Sequence, residues 1–275
     1  MDLTRDGVTV GSRTFGWRFL QTWWGYGIAA VLVVAVAPYP VLGVVADDEI
    51  IHRIHNTVGA VHYLLLWAPA VVVWTRLRRD RGAWNVAVAS AVAMCITSAP
   101  SGDLVSSLSI LPLLTLAPLR PDGTCTVLRR PRFDPVLLSV GSVLGVLAVR
   151  LAPDLVRVQD VAGFDVHGVR FHYGGMAAVY VALALCALSL ALGAWSRTMA
   201  IWVGVSSLLV GVLCLLWPEY DSALPAAESW WYVGCGVVIL VVAAGRRRIT
   251  DGIDDGTSAR GDARPRPTVD HLADR

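Results

Sequence analysis

The chain has 275 residues, of which 55% are hydrophobic and only 16% are charged, and its mean hydropathy is +0.59. Soluble domains carry about 45–50% apolar and about 25% charged residues, so this composition excludes a disordered protein, a nucleic-acid-binding domain and an ordinary water-soluble enzyme. All 23 basic residues are Arg, and without Lys neither Schiff-base chemistry nor a P-loop is available. The class that remains is a multi-pass membrane protein.

Apolar runs of about 17–25 residues predict membrane-spanning helices, and the chain contains eight candidate runs. The fourth and fifth are short, which leaves open a tilted or re-entrant element at either place. The predicted fold class is all-α, a polytopic helical membrane protein with about eight transmembrane helices, and two four-helix halves are one possible arrangement. In chain order the predicted spans are 24–45, 56–74, 83–99, 104–119, 135–150, 173–195, 198–217 and 229–244.

The arginines predict the orientation of these spans. With the N-terminus in the cytoplasm, 19 of the 23 Arg lie on the inner side, as the positive-inside rule requires. An even number of spans then places both termini in the cytoplasm, and the cell membrane is the expected location. The predicted organisation is a cytoplasmic or interfacial segment (1–23), a transmembrane helical domain (24–245) and a disordered, Arg-rich cytoplasmic tail (246–275).

Most acidic residues are explained as helix caps. An acid at a helix N-terminus pairs with unsatisfied N–H groups and the positive end of the helix dipole. Asp103 precedes the fourth span, Glu228 opens the eighth, and Asp134 followed by Pro135 is a typical start for the fifth. A capping carboxylate needs no further function.

Small residues and prolines predict where helices approach closely or bend. Gly141 and Gly145 are four residues apart in the fifth span, and Ser207 and Gly211 have the same spacing in the seventh. This spacing permits close helix packing in membranes. Pro69, in the second span, is expected to interrupt the helical hydrogen-bond ladder.

Five of the six His residues lie at, or within about three turns of, the predicted outer face. On one helix, Asp48, His52 and His55 would share a face, which predicts a metal site at that position. His62 lies on the same face but roughly 10 Å deeper, so it needs a partner of its own. The alternative is that interfacial His residues hydrogen-bond only to lipid headgroups or loop carbonyls.

A weak internal repeat suggests such a partner. The second helix of each predicted half carries a His pair whose later member precedes Tyr, His55 with His62 and His167 with His172. If a pseudo-two-fold axis relates the halves, His62 and His172 occupy comparable positions. Two facing imidazoles would form a cofactor-binding site for a haem or a transition metal ion.

The segment from Glu49 to Arg53, with His52 before the arginine, resembles the start of the second helix in heme A synthases. Members of that family are also eight-helix proteins with two halves, and the resemblance implies haem bound by helix histidines. The sequence departs from the family in having no His in its fourth or eighth predicted span, where the partner ligands would stand. It also lacks a cysteine-bearing loop after the first span.

Three functions remain open from the sequence. The first is a protein with a metal or haem site near the outer face; the second is a small-solute transporter; the third is a non-enzymatic subunit or assembly factor. Whether the protein is an enzyme is left undecided, because the chain has no His-Glu-x-x-His, Gly-x-Ser-x-Gly or paired intramembrane carboxylates. Expected partners are the lipid bilayer, and anionic lipid or a protein at the Arg-rich inner loops, but not nucleic acid.

Overall fold

A computed structural model describes most of the helical part of the chain. For some helical residues it describes the backbone alone, namely 10–18, 21, 52–53, 162, 172 and 247–258. The described residues are 10–38, 52–77, 80–100, 133–162, 172–193, 195–219 and 223–258, together with Leu111, Leu113 and Leu116.

Every regular element in these ranges is helical. The second helix, α2, is continuous but consists of three parts, an α-helical start (His52–Val61), a π-helical turn (His62–Trp67) and an α-helical end (Ala68–Leu77). The others are α1 (Val10–Val36), α3 (Arg81–Ser98), α4 (Pro135–Ala162), α5 (His172–Leu192), α6 (Arg197–Leu216) and α7 (Ala226–Ser258).

The apolar helices confirm the predicted helical membrane protein. Within the described part of the chain, five helices are long and apolar enough to cross a bilayer, and α1 contains a shorter apolar stretch, Thr22–Val36. The five spans are Ile54–Leu77, Pro135–Val161, Tyr173–Leu192, Arg197–Leu216 and Ala226–Arg246. The third predicted span coincides with α3, which is helical but is not among these five.

The structure does not describe every predicted span. The fourth predicted span, 104–119, lies outside the described residues apart from three leucines, of which Leu113 and Leu116 are buried. The count of eight spans and the cytoplasmic position of both termini stay predictions. The last helix continues to Ser258, past the domain boundary expected at residue 245, and residues 259–275 are outside the described part.

Helix α5 occupies the centre of the bundle. It packs extensively against α4 and α3 and also contacts the first part of α2, while α6 and α7 form a second tightly packed pair. The π turn of α2 lies against α6, α3 and α1. Because α5 touches both the N-terminal and the C-terminal helices, most of its residues are buried, including Met176, Tyr180 and Leu183.

One end of the bundle, here called the Arg246 end, is closed by capping acids and arginine. Asp80 accepts a hydrogen bond from the Ala83 amide as the N-cap of α3, and it also accepts one from the Ser196 hydroxyl at 2.7 Å. Asp134 caps α4 by accepting from the Leu137 amide, which confirms the predicted cap. The second oxygen of Asp134 pairs with Arg246 of α7.

The opposite end, here called the His55 end, uses a different set of polar contacts. Gln159 of α4 is buried, and its side-chain oxygen accepts hydrogen bonds from the amides of Tyr173 and Gly174 in the first turn of α5. Glu228, in the first turn of α7, lies 3.3 Å from Arg150 of α4. These contacts stabilise helix N-termini that would otherwise expose unpaired N–H groups.

The α6–α7 pair depends on small residues at its interface. A Cβ atom at Gly236 would lie 2.6 Å from the backbone nitrogen of Leu208 and 2.7 Å from the carbonyl oxygen of Gly204. At Gly211 it would meet the carbonyl oxygen of Ser229 at 2.6 Å. The predicted close approach at Ser207 and Gly211 is therefore confirmed, because backbone meets backbone at this interface.

We predict that Gly236→Ala lowers the free energy of unfolding by about 1–3 kcal/mol, because the added methyl group must displace backbone atoms of α6. The matched control is Gly234→Ala on the same helix, where an added Cβ meets nothing within 4 Å. The control should leave stability unchanged or raise it slightly, because Ala favours helix. Unfolding in mixed micelles measures both changes, and equal losses in the two variants would contradict the interpretation of this interface.

Candidate functional site

The π turn of α2 is a local consequence of its sequence. Pro69 has no amide hydrogen and its ring crowds the preceding turn, so a regular α-helix cannot pass through this point unchanged. The helix widens just before the proline, and the Ala68 amide donates to the carbonyl of Tyr63, five residues back. The interruption predicted at Pro69 therefore takes the form of a π turn, a feature that often occurs at functional sites.

His62 begins this turn and is almost completely buried, with 1% of its surface exposed. Its ring lies edge-on to Tyr63 and Trp67, at centroid distances of 5.2 and 6.4 Å. Neither ring nitrogen has a hydrogen-bond partner among the described residues. A buried polar group without a partner lowers the free energy of unfolding by about 1–3 kcal/mol. The burial of His62 therefore destabilises the fold.

A contact between α2 and α5 defines the register of the two helices. At the His55 end, His55 is buried and its ring lies 5.2 Å from the ring of Tyr173 in an edge-to-face arrangement. Both helices run from this contact toward the Arg246 end. Seven residues further along each helix, or about 10 Å deeper, stand His62 on α2 and Tyr180 on α5. A seven-residue step returns to nearly the same face, so both residues face the α2–α5 contact.

Tyr180 belongs to a layer of buried polar groups from four helices. Its ring lies 5.6 Å from that of Tyr232 on α7, and both rings are fully buried. The hydroxyls of Tyr232 and of Ser206 on α6 have no hydrogen-bond partner in the described part of the chain. The hydroxyl of Tyr180 contacts the thiol of Cys214 on α6, which is only a weak acceptor. Four buried polar residues lie at a similar depth, about 9–15 Å from the His55 end when the distance is counted along each helix. We call these four residues the polar layer: His62, Tyr180, Ser206 and Tyr232.

The polar layer carries no formal charge. The buried carboxylates among the described residues are Asp134 and Glu228, and both lie at helix ends beside arginines. Between the two ends, the buried side chains of the described spans that carry polar atoms are His, Tyr, Trp, Ser, Thr and Cys. An isolated ion in this interior would be strongly disfavoured, because no opposite charge compensates for its lost hydration. The layer suits an uncharged polar group.

The predicted site residues are placed as follows. Asp48 lies outside the described residues, and His52 and His172 are described by their backbones alone. His172 begins α5 next to Tyr173, so its backbone lies at the level of His55, about 10 Å above His62. Among the side chains that are described, no three from His, Cys, Asp and Glu lie together as a metal site. The metal set Asp48, His52 and His55 and the pair His62 with His172 stay predictions.

Sequence reasoning singled out His62 but missed its companions. Tyr180, Tyr232 and Ser206 stand in long apolar runs where a single hydroxyl is unremarkable. The missed pattern is the seven-residue step, which relates His55 to His62 and also Tyr173 to Tyr180. That pattern becomes informative only when the two helices are known to be neighbours.

Comparison with protein-family models, with curated proteins and with solved structures finds no match to this chain. The argument for function therefore depends on the geometry of the polar layer, and the resemblance of residues 49–53 to heme A synthases gains no support from these comparisons.

Two adjacent serines test the description of the polar layer. Both are fully buried, but the Ser207 hydroxyl donates to the Tyr232 carbonyl at 2.8 Å, whereas Ser206 has no partner among the described residues. We predict that Ser207→Ala lowers the free energy of unfolding by about 0.5–1.5 kcal/mol. Ser206→Ala should leave it unchanged or raise it, because an unsatisfied hydroxyl is removed. Thermal unfolding in detergent measures both, and a larger loss in Ser206→Ala would show that its hydroxyl is already paired.

Proposed function

We propose that this integral membrane protein is a permease for a small, uncharged polar solute, and that the solute binds in the polar layer. The observation that carries the proposal is His62, whose two ring nitrogens are buried without a partner in the described structure. A bound solute with a hydroxyl, amide or carbonyl group would satisfy one donor and one acceptor of the neutral imidazole.

The position of the layer supports transport over a surface function. Membrane transporters bind substrate deep in the bilayer, at helices whose regular hydrogen bonding is interrupted. Here the π turn interrupts α2 at a depth similar to that of Tyr180 and Tyr232, counted along their helices. These groups come from three different helices, so one solute could contact them together while the helix ends stay fixed by their caps.

The absence of charge in the described interior determines the class of solute. A charged substrate or a coupling ion would need a carboxylate or an arginine beside it to offset desolvation. Uncharged solutes carry no such requirement, and hydroxyl and imidazole groups are adequate partners for them. The proposal is therefore facilitated diffusion down a gradient, without ion coupling.

A haem-binding protein is the second candidate, and the same residue favours it. An imidazole nitrogen without a partner can serve as an axial ligand for haem iron, and the ferrous iron–porphyrin core carries no net charge, unlike a free metal ion. The two-histidine cofactor site and the separate metal set predicted at Asp48, His52 and His55 belong to this candidate. A Soret band in the purified protein that is lost in His62→Ala would favour haem over a solute.

The permease is tested by reconstituting the full chain into liposomes and following solute entry by stopped-flow light scattering. The panel contains urea, glycerol, erythritol and a pentose. We predict that at least one of them enters faster than into protein-free liposomes, and that His62→Leu slows this entry by about tenfold, the effect of losing one well-placed hydrogen bond. His62→Gln should retain part of the rate, because it keeps one donor and one acceptor.

The matched control compares two tyrosines. Tyr180→Phe removes a hydroxyl of the polar layer, while Tyr63→Phe removes one that donates to the sulfur of Met94 outside the layer. Entry should slow in the first variant and not in the second. Entry that is equal in all variants, or no faster than into protein-free liposomes for every solute, would refute the permease.

A further inference from the structure

An open groove runs along the lipid-facing side of α5. Its volume is about 830 Å³, and its walls are the end of α3 and the second half of α4. Both walls pack on α5 but barely touch each other, so a gap remains between them. The floor is apolar and is formed by Val181, Ala184 and Leu188.

The groove opens sideways to the bilayer. Ile96 on one wall and Val149 on the other line it, and they are 53% and 76% exposed. In a membrane-spanning bundle such exposed apolar side chains face lipid. With respect to the described residues, the groove is therefore accessible from within the membrane.

Two opposite charges stand at the mouth of the groove, at the His55 end. Arg157 and Asp160 both line it and are three residues apart on α4, so they share a face of the helix. The guanidinium of Arg157 also lies 3.4 Å from Asp154, which does not line the groove. The mouth thus presents one cation and one anion above an apolar channel.

We propose that the groove is a binding site for a phospholipid with an ammonium headgroup, of the phosphatidylethanolamine type. An acyl chain fills the apolar channel, the phosphate accepts hydrogen bonds from Arg157, and the ammonium donates to Asp160. An anionic headgroup would gain Arg157 but would be repelled by Asp160. The alternation of charge at the mouth therefore matches a zwitterion better than a net anion.

The dimensions of the groove agree with one lipid leaflet. From Gly145 to Asp160 the α4 wall rises about 22 Å at 1.5 Å per residue. One leaflet of the hydrocarbon core is about 15 Å thick, which leaves the upper part of the wall for the headgroup. The width comes from small side chains, since Gly145, Ala148 and Ala152 line the α4 wall.

The test uses the purified full chain, stripped of lipid in detergent and then supplied with one phospholipid at a time. Bound lipid is counted by native mass spectrometry, and the melting temperature is followed in parallel. We predict that phosphatidylethanolamine is retained about tenfold more strongly than phosphatidylglycerol and raises the melting temperature more. Arg157→Ala and Asp160→Asn should each lower its retention by about tenfold, the loss of one charge-assisted hydrogen bond.

Two matched controls separate the groove from the general surface. Asp154→Asn makes the same chemical change as Asp160→Asn one turn away, and it should leave retention unchanged or raise it. Gly145→Leu places a bulky side chain in the groove, where an added Cβ meets nothing within 4 Å, and it should abolish retention. Gly234→Leu, at an equally open glycine on α7, should have no effect. Equal retention of phosphatidylglycerol, or retention that survives Gly145→Leu, would overturn the proposal.

Discussion

The structure depends on one constraint, the lack of water in the interior of a membrane-spanning bundle. A polar group there must find a partner within the protein or remain unpaired at a cost of about 1–3 kcal/mol. At the Arg246 end the constraint is met by side-chain pairs, Asp80 with Ser196 and Asp134 with Arg246. At the His55 end it is met by Glu228 with Arg150. Most of the buried side chains without a partner among the described residues lie in the polar layer; Trp67 and Thr75 of α2 are outside it. The grouping of unpaired groups from several helices at one depth is what marks the layer as a site.

The difference between the paired helix ends and the unpaired polar layer affects the stability of the protein. A protein with 55% hydrophobic residues could replace His62, Ser206 and Tyr232 by apolar side chains without losing a described side-chain hydrogen bond. Such replacements would be neutral or stabilising by the ordinary rules of burial. Groups that lower stability and have no structural partner are typical of functional sites, where stability is given up for activity. The polar contacts at the two ends hold the helices in place. For this reason, side chains of the polar layer can stay without hydrogen-bond partners.

Features that depend on a few neighbouring residues could be predicted from the sequence, whereas contacts between residues far apart in the chain could not. The helices and the cap at Asp134 were predicted because an apolar run or an Asp-Pro pair acts within a few residues. The partner of Asp134 could not be predicted, because Arg246 is 112 residues away and a single sequence does not say which helices are neighbours. The same limit applies to the cofactor pair. The pairing of His62 with His172 assumes a register between the halves, and it stays a prediction because the structure describes His172 by its backbone alone. The contact of His55 with Tyr173 brings Tyr180 to the level of His62, a neighbour that the sequence did not indicate.

The two glycines of the small-residue motif in α4 have different roles in the structure, although the sequence pattern is one motif. Gly141 and Gly145 are one turn apart and read as a single packing motif. In the structure a Cβ added at Gly141 would meet the side chain and backbone of Leu188 on α5, whereas one added at Gly145 would meet nothing within 4 Å and would lie in the groove.

Helix α5 separates two environments. Tyr180 faces the polar layer, and the next residue, Val181, lines the groove. Because Gln159 caps one end of α5 and the Ala191 carbonyl accepts from the Asp134 amide at the other, this wall is held by α4 at both ends. A lipid seated between α3 and α4 would press on the outside of the same wall whose inner face lines the proposed solute site.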